Sequence, residues 1–399
     1  MDGLALFGGD PIRKEKIHYG RQTIEEDDAR VVTDVLKADL ITCGPQIAEF
    51  ERELAQYVGA KHAVVVTSGT AALHCACLAA GIKEGDEVIT TPITFAASAN
   101  CARYCGADVV FADVRYDTMN IDPESIERNI TERTKAIVAV DFTGQAVEID
   151  AIRKICDDHN LIFIEDAAHS IGTKYNGKMI GSLADFTTFS FHPVKTITGG
   201  EGGAILTNSD EMYERLLLYR THAISHKGVD KEEKGFWYYE QYDLGYNYRL
   251  TDFQAALLIN QLGKIDRFIK RRKEIAKAYD EAFAEMPEII PHTNIPESDT
   301  SYHLYVLRLN LERLKCDRKQ FFDALSAENV QPQVHYIPVY WLKYYQDLGY
   351  KKGICPNAEK IYDEILSIPL YPLMIDEDVI DVIKAIKKVI DYYRIEISG

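Results

Sequence analysis

Basic residues are scarce in this chain of 399 residues: 45 lysines and arginines stand against 62 aspartates and glutamates, a formal charge of −17. An acidic surface of that size argues against a nucleic-acid or anionic-membrane partner. The one short basic run, Lys270-Arg271-Arg272-Lys273, falls in a helical pattern and reads as a solvated face. Proline is sparse as well, with 13 prolines and 25 glycines, which excludes collagen-like repeats and long disordered tracts. Cysteine is too scattered for a disulfide framework: the eight lie at positions 43, 75, 77, 101, 105, 156, 316 and 355. Cys101 and Cys105 could share a helix face, but no His or Cys pair completes a zinc site, so no metal is expected. Long apolar runs are missing too. The longest uncharged stretch, 62–82, spans 21 residues and is interrupted by Thr67-Ser68-Gly69-Thr70. The opening Met1-Asp2-Gly3-Leu4 carries no basic leader region. These absences lead to the expectation of a soluble cytoplasmic protein with reduced thiols.

What is present is an alternation of short apolar runs with helical patterns from residue 60 to about 210. Strands are expected at Ala63–Val66, Glu87–Thr90, Val109–Ala112, Ala136–Val140, Leu161–Ile164, Thr187–Phe191 and Ala204–Leu206. Several are charge-free and rich in Val and Ile, as strands buried on both faces require. With helices between them, over Thr70–Ala80 and Ile149–His159, they predict an α/β fold with a largely parallel sheet. Beyond residue 250 the pattern changes. Helices are expected over Thr251–Phe268, Lys270–Phe283 and Val379–Ile390, and a strand over Tyr302–Leu309. The expected division is a large domain over 1–262 and a smaller α+β domain over 263–399.

Two nucleotide motifs fail on inspection. Gly172 to Lys178 matches most of a phosphate-binding loop, but position 179 is Met where the metal-ligating hydroxyl belongs, and Asn176-Gly177 reads better as a hairpin turn. The cluster Gly199-Gly200-Glu201-Gly202-Gly203 misses the dinucleotide spacing, because Ile occupies position 205.

A stronger constellation lies at strand ends, where α/β sheets gather ligands. Thr67-Ser68-Gly69-Thr70 joins a buried strand to a helix, and free N–H groups there make a phosphate cup, although such turns also merely cap helices. Asp166 ends a buried strand, where a carboxylate needs a partner: it caps the next helix or pairs with a protonated ring nitrogen. Lys195 follows another buried strand and precedes the glycine cluster, where a neutral amine could act as nucleophile. Phe95 is placed either to cover a ring or to pack in the core. Together the set supplies what pyridoxal 5′-phosphate requires.

The motifs Thr67–His74, Thr91–Phe95, Glu165–Ser170, Ser190–Lys195 and Tyr246–Asp252, in this order, resemble the DegT/DnrJ/EryC1/StrS sugar aminotransferases, from about Tyr19 to the C-terminus. The resemblance implies a fold-type-I pyridoxal-phosphate aminotransferase, with a mostly parallel seven-stranded sheet and a smaller C-terminal domain. It implies a homodimer acting on a nucleotide-linked keto sugar with glutamate as amino donor. By motif match Lys195 is the Schiff-base lysine, Asp166 the pyridinium partner and Phe95 the stacking ring. His169 lies near the phenolic oxygen. Gly69, Thr70 and Ser190 bind phosphate, and Asn247 reaches the neighbouring subunit's cofactor. Some members replace the lysine by histidine and dehydrate instead; His192 is three residues too early for that, and Lys195 favours amino transfer. Tyr19–Gln22, Ile41–Pro45, His192–Lys195 and Val334–Pro338 look most like members that aminate C4 of a UDP-linked 4-keto-6-deoxy-N-acetyl-hexosamine of L-altro configuration in pseudaminic acid biosynthesis. Arg249, His335 and Tyr336 are candidates for substrate contacts or for structural hydrogen bonds. The alternatives are amination of another nucleotide-linked keto sugar, a sulfur-amino-acid lyase and a non-catalytic sensor.

Overall fold

Val64, Val65 and Val66 are fully buried, and each contributes about 1.5–3 kcal/mol by leaving water. They belong to β1 (His62–Val66), the first of seven strands in the central sheet. The others are β2 (Glu87–Thr90), β3 (Asp108–Phe111), β4 (Thr134–Val140), β5 (Ile162–Asp166), β6 (Phe186–Ser190) and β7 (Gly203–Thr207). Their order across the sheet is β1-β7-β6-β5-β4-β2-β3. Six run parallel and β7 runs antiparallel to both neighbours, Gly203 pairing with Val66 on one side and Ser190 on the other. All seven strands therefore fall on or within two residues of the runs expected from the sequence. The computed structural model describes residues 3–228 and 230–395; Met1 and Asp2, part of the leader reading, lie outside the described residues. No helix among the described residues is long and apolar enough to cross a membrane.

Helices cover the sheet. α1 (Gly69–Ala79) is apolar on nearly all sides, as a helix buried against both sheet and neighbouring helices must be, and Ser68 caps it by accepting from the Ala71 N–H at 3.1 Å. α2 (Ala97–Tyr104) packs beside it. The Asn176-Gly177 hairpin forms as expected, both residues at positive φ between the paired segments Lys174–Tyr175 and Lys178–Met179.

Beyond residue 250 the helix boundaries differ from expectation. α3 (Asp252–Leu262) ends at Gly263, and α4 runs without interruption from Ile265 to Phe283. Glycine favours the stop, and Lys264 turns to meet Glu25, Asp27 and Asp28 at 3.0, 2.7 and 3.1 Å. These three carboxylates are the acidic group closest to a metal-site arrangement among the described residues, and here they hold a lysine. The first turns of α4 (Ile265, Phe268, Ile269) pack in the core of the central sheet. Its later residues (Ile275, Tyr279, Phe283) pack with a three-stranded antiparallel sheet of β8 (Ile289–Ile290), β9 (Tyr305–Leu309) and β10 (Ile365–Ile368), and with α5 (Asp376–Tyr393).

The solvated-face reading of Lys270–Lys273 is corrected at Arg272, which is 1% exposed. Its Nη1 donates to the carbonyls of Tyr302, His303 and Leu370 at 3.3, 3.1 and 3.0 Å. Those bonds explain a second difference. The strand expected from Tyr302 begins only at Tyr305, because Tyr302 takes a positive φ, its carbonyl and that of His303 turn to Arg272, and the Leu304 N–H donates to the Thr143 carbonyl.

Candidate active site

A cavity of about 730 Å³ opens where β1, β5 and β6 end, within the usual size of small-molecule sites. On one side Gly69 and Thr70 begin α1, where the first backbone N–H groups have no acceptor inside the helix. A β-carbon on Gly69 would sit 2.8 Å from the Ser190 Cβ, so this close approach of the cup to the end of β6 admits only glycine. Gly203 serves the same approach from β7, since a β-carbon there would lie 2.4 Å from the Ser68 carbonyl oxygen.

Lys195 stands in the loop that follows β6. The Phe191 carbonyl ties the base of that loop by accepting from the Gly199 N–H at 3.1 Å and the Thr198 hydroxyl at 3.0 Å. The Lys195 side chain reaches the cavity, and burial lowers its amine to about 8 although the Asp166 charge opposes the shift. Asp166, the last residue of β5, accepts from the Ser98 hydroxyl at 2.6 Å and from the Ala168 N–H at 3.2 Å. Burial still leaves its carboxyl above the usual range, against the pull of Ser98, Ala168 and Lys195.

The opposite wall is begun by His169 and completed by distant parts of the chain. His169 follows β5, and its Nε2 lies 3.2 Å from the Tyr336 hydroxyl. The His303 ring packs tilted against it, at 46° with ring centroids 4.4 Å apart, and the His335 Nδ1 lies 2.8 Å from the Ser367 hydroxyl. Burial is the main cause holding all three imidazoles below their usual pKa, His335 at about 4, with the Lys195 charge adding to it. They are therefore neutral at pH 7. Phe95 lies at the mouth, 62% exposed and 6.3 Å from the Tyr336 ring, so core packing does not account for it.

Of the residues singled out from the sequence, Gly69, Thr70, Phe95, Asp166, His169, Ser190, Lys195, His335 and Tyr336 line this one cavity. Asn247 and Arg249 do not line it. They lie on a segment bridged to Thr221 and Val66, with Asn247 exposed. Ser98 and His303 line the cavity although sequence reasoning does not single them out. Ser98 sits three residues past Phe95 on the same turn, a spacing that offers a signal; His303, inside an expected strand, carries none.

These residues fit pyridoxal phosphate. The His169 Nδ1 is buried with no hydrogen-bond partner, a carboxylate and a lysine of lowered basicity share the space, and a helix N-terminus closes one end.

Comparison with known proteins agrees with this geometry. A model of the DegT/DnrJ/EryC1/StrS aminotransferase family matches residues 22–387. The spore coat polysaccharide biosynthesis protein SpsC of Bacillus subtilis is 41% identical over 95% of this chain and 98% of its own. A UDP-4-amino-4,6-dideoxy-N-acetyl-beta-L-altrosamine transaminase of Campylobacter jejuni is 40% identical over 90% of this chain and 93% of its own. Among solved structures, Helicobacter pylori PseC, an aminotransferase involved in the biosynthesis of pseudoaminic acid, superposes with a TM-score of 0.88 at 34% identity, covering 95% of this chain and 100% of that one. Spr1654 of Streptococcus pneumoniae, solved in its PLP-form, gives a TM-score of 0.88 at 29% identity over 94% and 99%.

Proposed function

The chain belongs to the DegT/DnrJ/EryC1/StrS aminotransferase family, and on that premise we propose that it uses pyridoxal 5′-phosphate to move an amino group from glutamate to C4 of a UDP-linked 4-keto-6-deoxy-N-acetyl-hexosamine. The observation that carries the reading is the meeting of Lys195, Asp166 and the N-terminus of α1 in one cavity. The activities named for the Campylobacter jejuni and Helicobacter pylori relatives support the sugar and the pseudaminic acid pathway. The similarity to SpsC favours a second reading, another nucleotide-linked keto sugar, equally well at the level of identity.

When bound, the cofactor supplies an aldehyde and an electron-withdrawing ring that acidify the C–H bond beside the transferred nitrogen. Gly69, Thr70 and Ser190 would hold its phosphate, Phe95 would cover one ring face, and His169 would stand by the phenolic oxygen. Asp166 would hold a proton on the ring nitrogen, because a buried carboxylate stabilises the cation. Lys195 would hold the aldehyde, and the lowered basicity of its buried amine suits it to that role. The Lys195 Nζ would also carry a proton between the two carbons beside the transferred nitrogen, in one direction for glutamate and in the other for the sugar. Tyr336 and His335, which line the cavity, contact the sugar or its anionic part, whereas Arg249 lines no part of its own chain's cavity and makes no such contact there.

The protein works as a cytoplasmic homodimer in which Asn247 serves the neighbour's site. That Asn247 is exposed and lines no part of its own chain's cavity supports this placement. The cofactor-binding unit spans 1–262 and the smaller unit 263–399, a division supported by the helix break at Gly263. Borohydride reduction of the purified holoenzyme followed by peptide mapping tests the core of the reading: the label is expected on Lys195, and a label on Lys174 or Lys178 would remove it. Offering both C4-keto epimers with glutamate tests the sugar. Preference for the L-altro form by about 10–200-fold is expected, and an amine found at C3 would overturn the assignment.

A further inference from the structure

Asp166 has two oxygens to satisfy at the end of a buried strand. Its Oδ1 accepts from the Ala168 N–H at a long 3.2 Å, whereas its Oδ2 accepts from the Ser98 hydroxyl at 2.6 Å, the short distance of a hydroxyl bonded to an ionised carboxylate. Ser98, 1% exposed, has a second acceptor within reach, the Phe95 carbonyl, but at 3.3 Å. The contrast in distance assigns its single proton to Asp166. The Thr94 hydroxyl lies 2.7 Å from the Ser98 oxygen, so with that proton committed, Thr94 is the donor and Ser98 the acceptor. The result is a buried chain of donors, Thr94 to Ser98 to Asp166, in which each bond polarises the next.

We propose that Ser98, itself held by Thr94, is a positioning residue that keeps Asp166 anionic and turned toward the ring nitrogen of the cofactor. The proposal rests on the pyridoxal-phosphate reading of the site. Burial works against the anion, and Asp141, Glu165 and Tyr336, whose charges interact with it, offer no positive charge. Lys195, the Ala168 N–H and Ser98 act the other way, and the bond from Ser98 is the shorter of the two hydrogen bonds that the Asp166 carboxylate accepts. Without that hydroxyl the carboxylate becomes a stronger base. The proton it shares with the ring nitrogen then shifts toward the carboxylate oxygen; no bond to carbon changes and no electron is transferred.

The test uses holoenzyme reconstituted with pyridoxal phosphate labelled with nitrogen-15 in the ring. In Ser98→Ala the ring-nitrogen resonance is expected to move from its protonated toward its unprotonated position, and the cofactor to bind about 10- to 150-fold more weakly, the equivalent of one hydrogen bond to a charge. Thr94→Val should move the resonance the same way by less, and carries the test if Ser98→Ala does not fold. Ser98→Thr, which keeps the hydroxyl, should restore the resonance. Unchanged resonances in Ser98→Ala and Thr94→Val, with cofactor bound, would overturn the inference and leave the function standing. A wild-type protein that takes up no cofactor would overturn both.

Discussion

On one side of the cavity, Gly69, Asp166 and Ser190 stand at or just past the ends of three buried strands. On the other, His303, His335 and Tyr336 come from irregular segments between the strands of the three-stranded sheet. The first group inherits its positions from the ladders of the sheet, and moving one member means breaking backbone pairing in a dry core. The second is held through side chains: Arg272 grips the carbonyls of Tyr302 and His303, and Ser367 holds His335. The difference teaches a division of labour. On the proposed reading, a cofactor used in every turnover would sit on the rigid side, and the substrate would meet the side that can be altered without disturbing the sheet.

The largest expected effect lies on the sheet side. Lys195→Ala should lower amino transfer by at least about 10³-fold, measured by 2-oxoglutarate release, with partial recovery when a small external amine is supplied. Because burial lowers the Lys195 amine to about 8, the wild-type proton-moving step should quicken with rising pH and level off above about 8. The same shift gives a sign for stability. The folded apoprotein resists protonating this lysine, so the cost is full below about 8 and fades as pH rises toward the ordinary value of 10.5. Lys195→Ala apoprotein should therefore melt no lower than wild type at pH 7, and a clear loss of stability would mean the lysine also serves the fold.

An intermediate effect is expected from Arg272→Met, which keeps bulk but strips three carbonyls of their donor. A destabilisation of about 1–3 kcal/mol in urea is expected. With it, KM for the sugar should rise while cofactor affinity holds. Equal damage to both would show that the two sides of the cavity are not independent.

The smallest effect belongs to Tyr336→Phe, which removes one hydroxyl from His169. A loss of about 0.5–1.5 kcal/mol in kcat/KM, roughly 2- to 12-fold, is expected with an unchanged cofactor dissociation constant. A larger change in cofactor binding would move Tyr336 to the other side of the comparison.

What is legible in the sequence divides along the same line. Strands buried on both faces are written as apolar runs rich in Val and Ile, so residue types alone locate β1, β4 and β5, and the motifs that follow β1 and β5 with them. The hairpin at Asn176-Gly177 is equally local, since two positive φ angles call for those residues. Arg272 misleads because its charge suggests water, yet three carbonyls brought from residues 302, 303 and 370 take it into the core. The run through Tyr302 misleads because apolar alternation cannot announce that an arginine 30 residues earlier will claim its carbonyls. His303 escapes a reading of the sequence for the same reason.

The sequence by itself determined the α/β class, the seven strands of the central sheet and the placing of a lysine, a carboxylate and a Ser-Gly-Thr turn at strand ends, because each follows from periodicity or from the conformational needs of a few neighbouring residues. Tertiary structure alone decided that these meet across a single cavity, that Ser98 takes hold of Asp166, and that three neutral histidines close the far wall. Those outcomes depend on crossing points between segments far apart in the chain, where packing and desolvation set which polar groups are left to find one another.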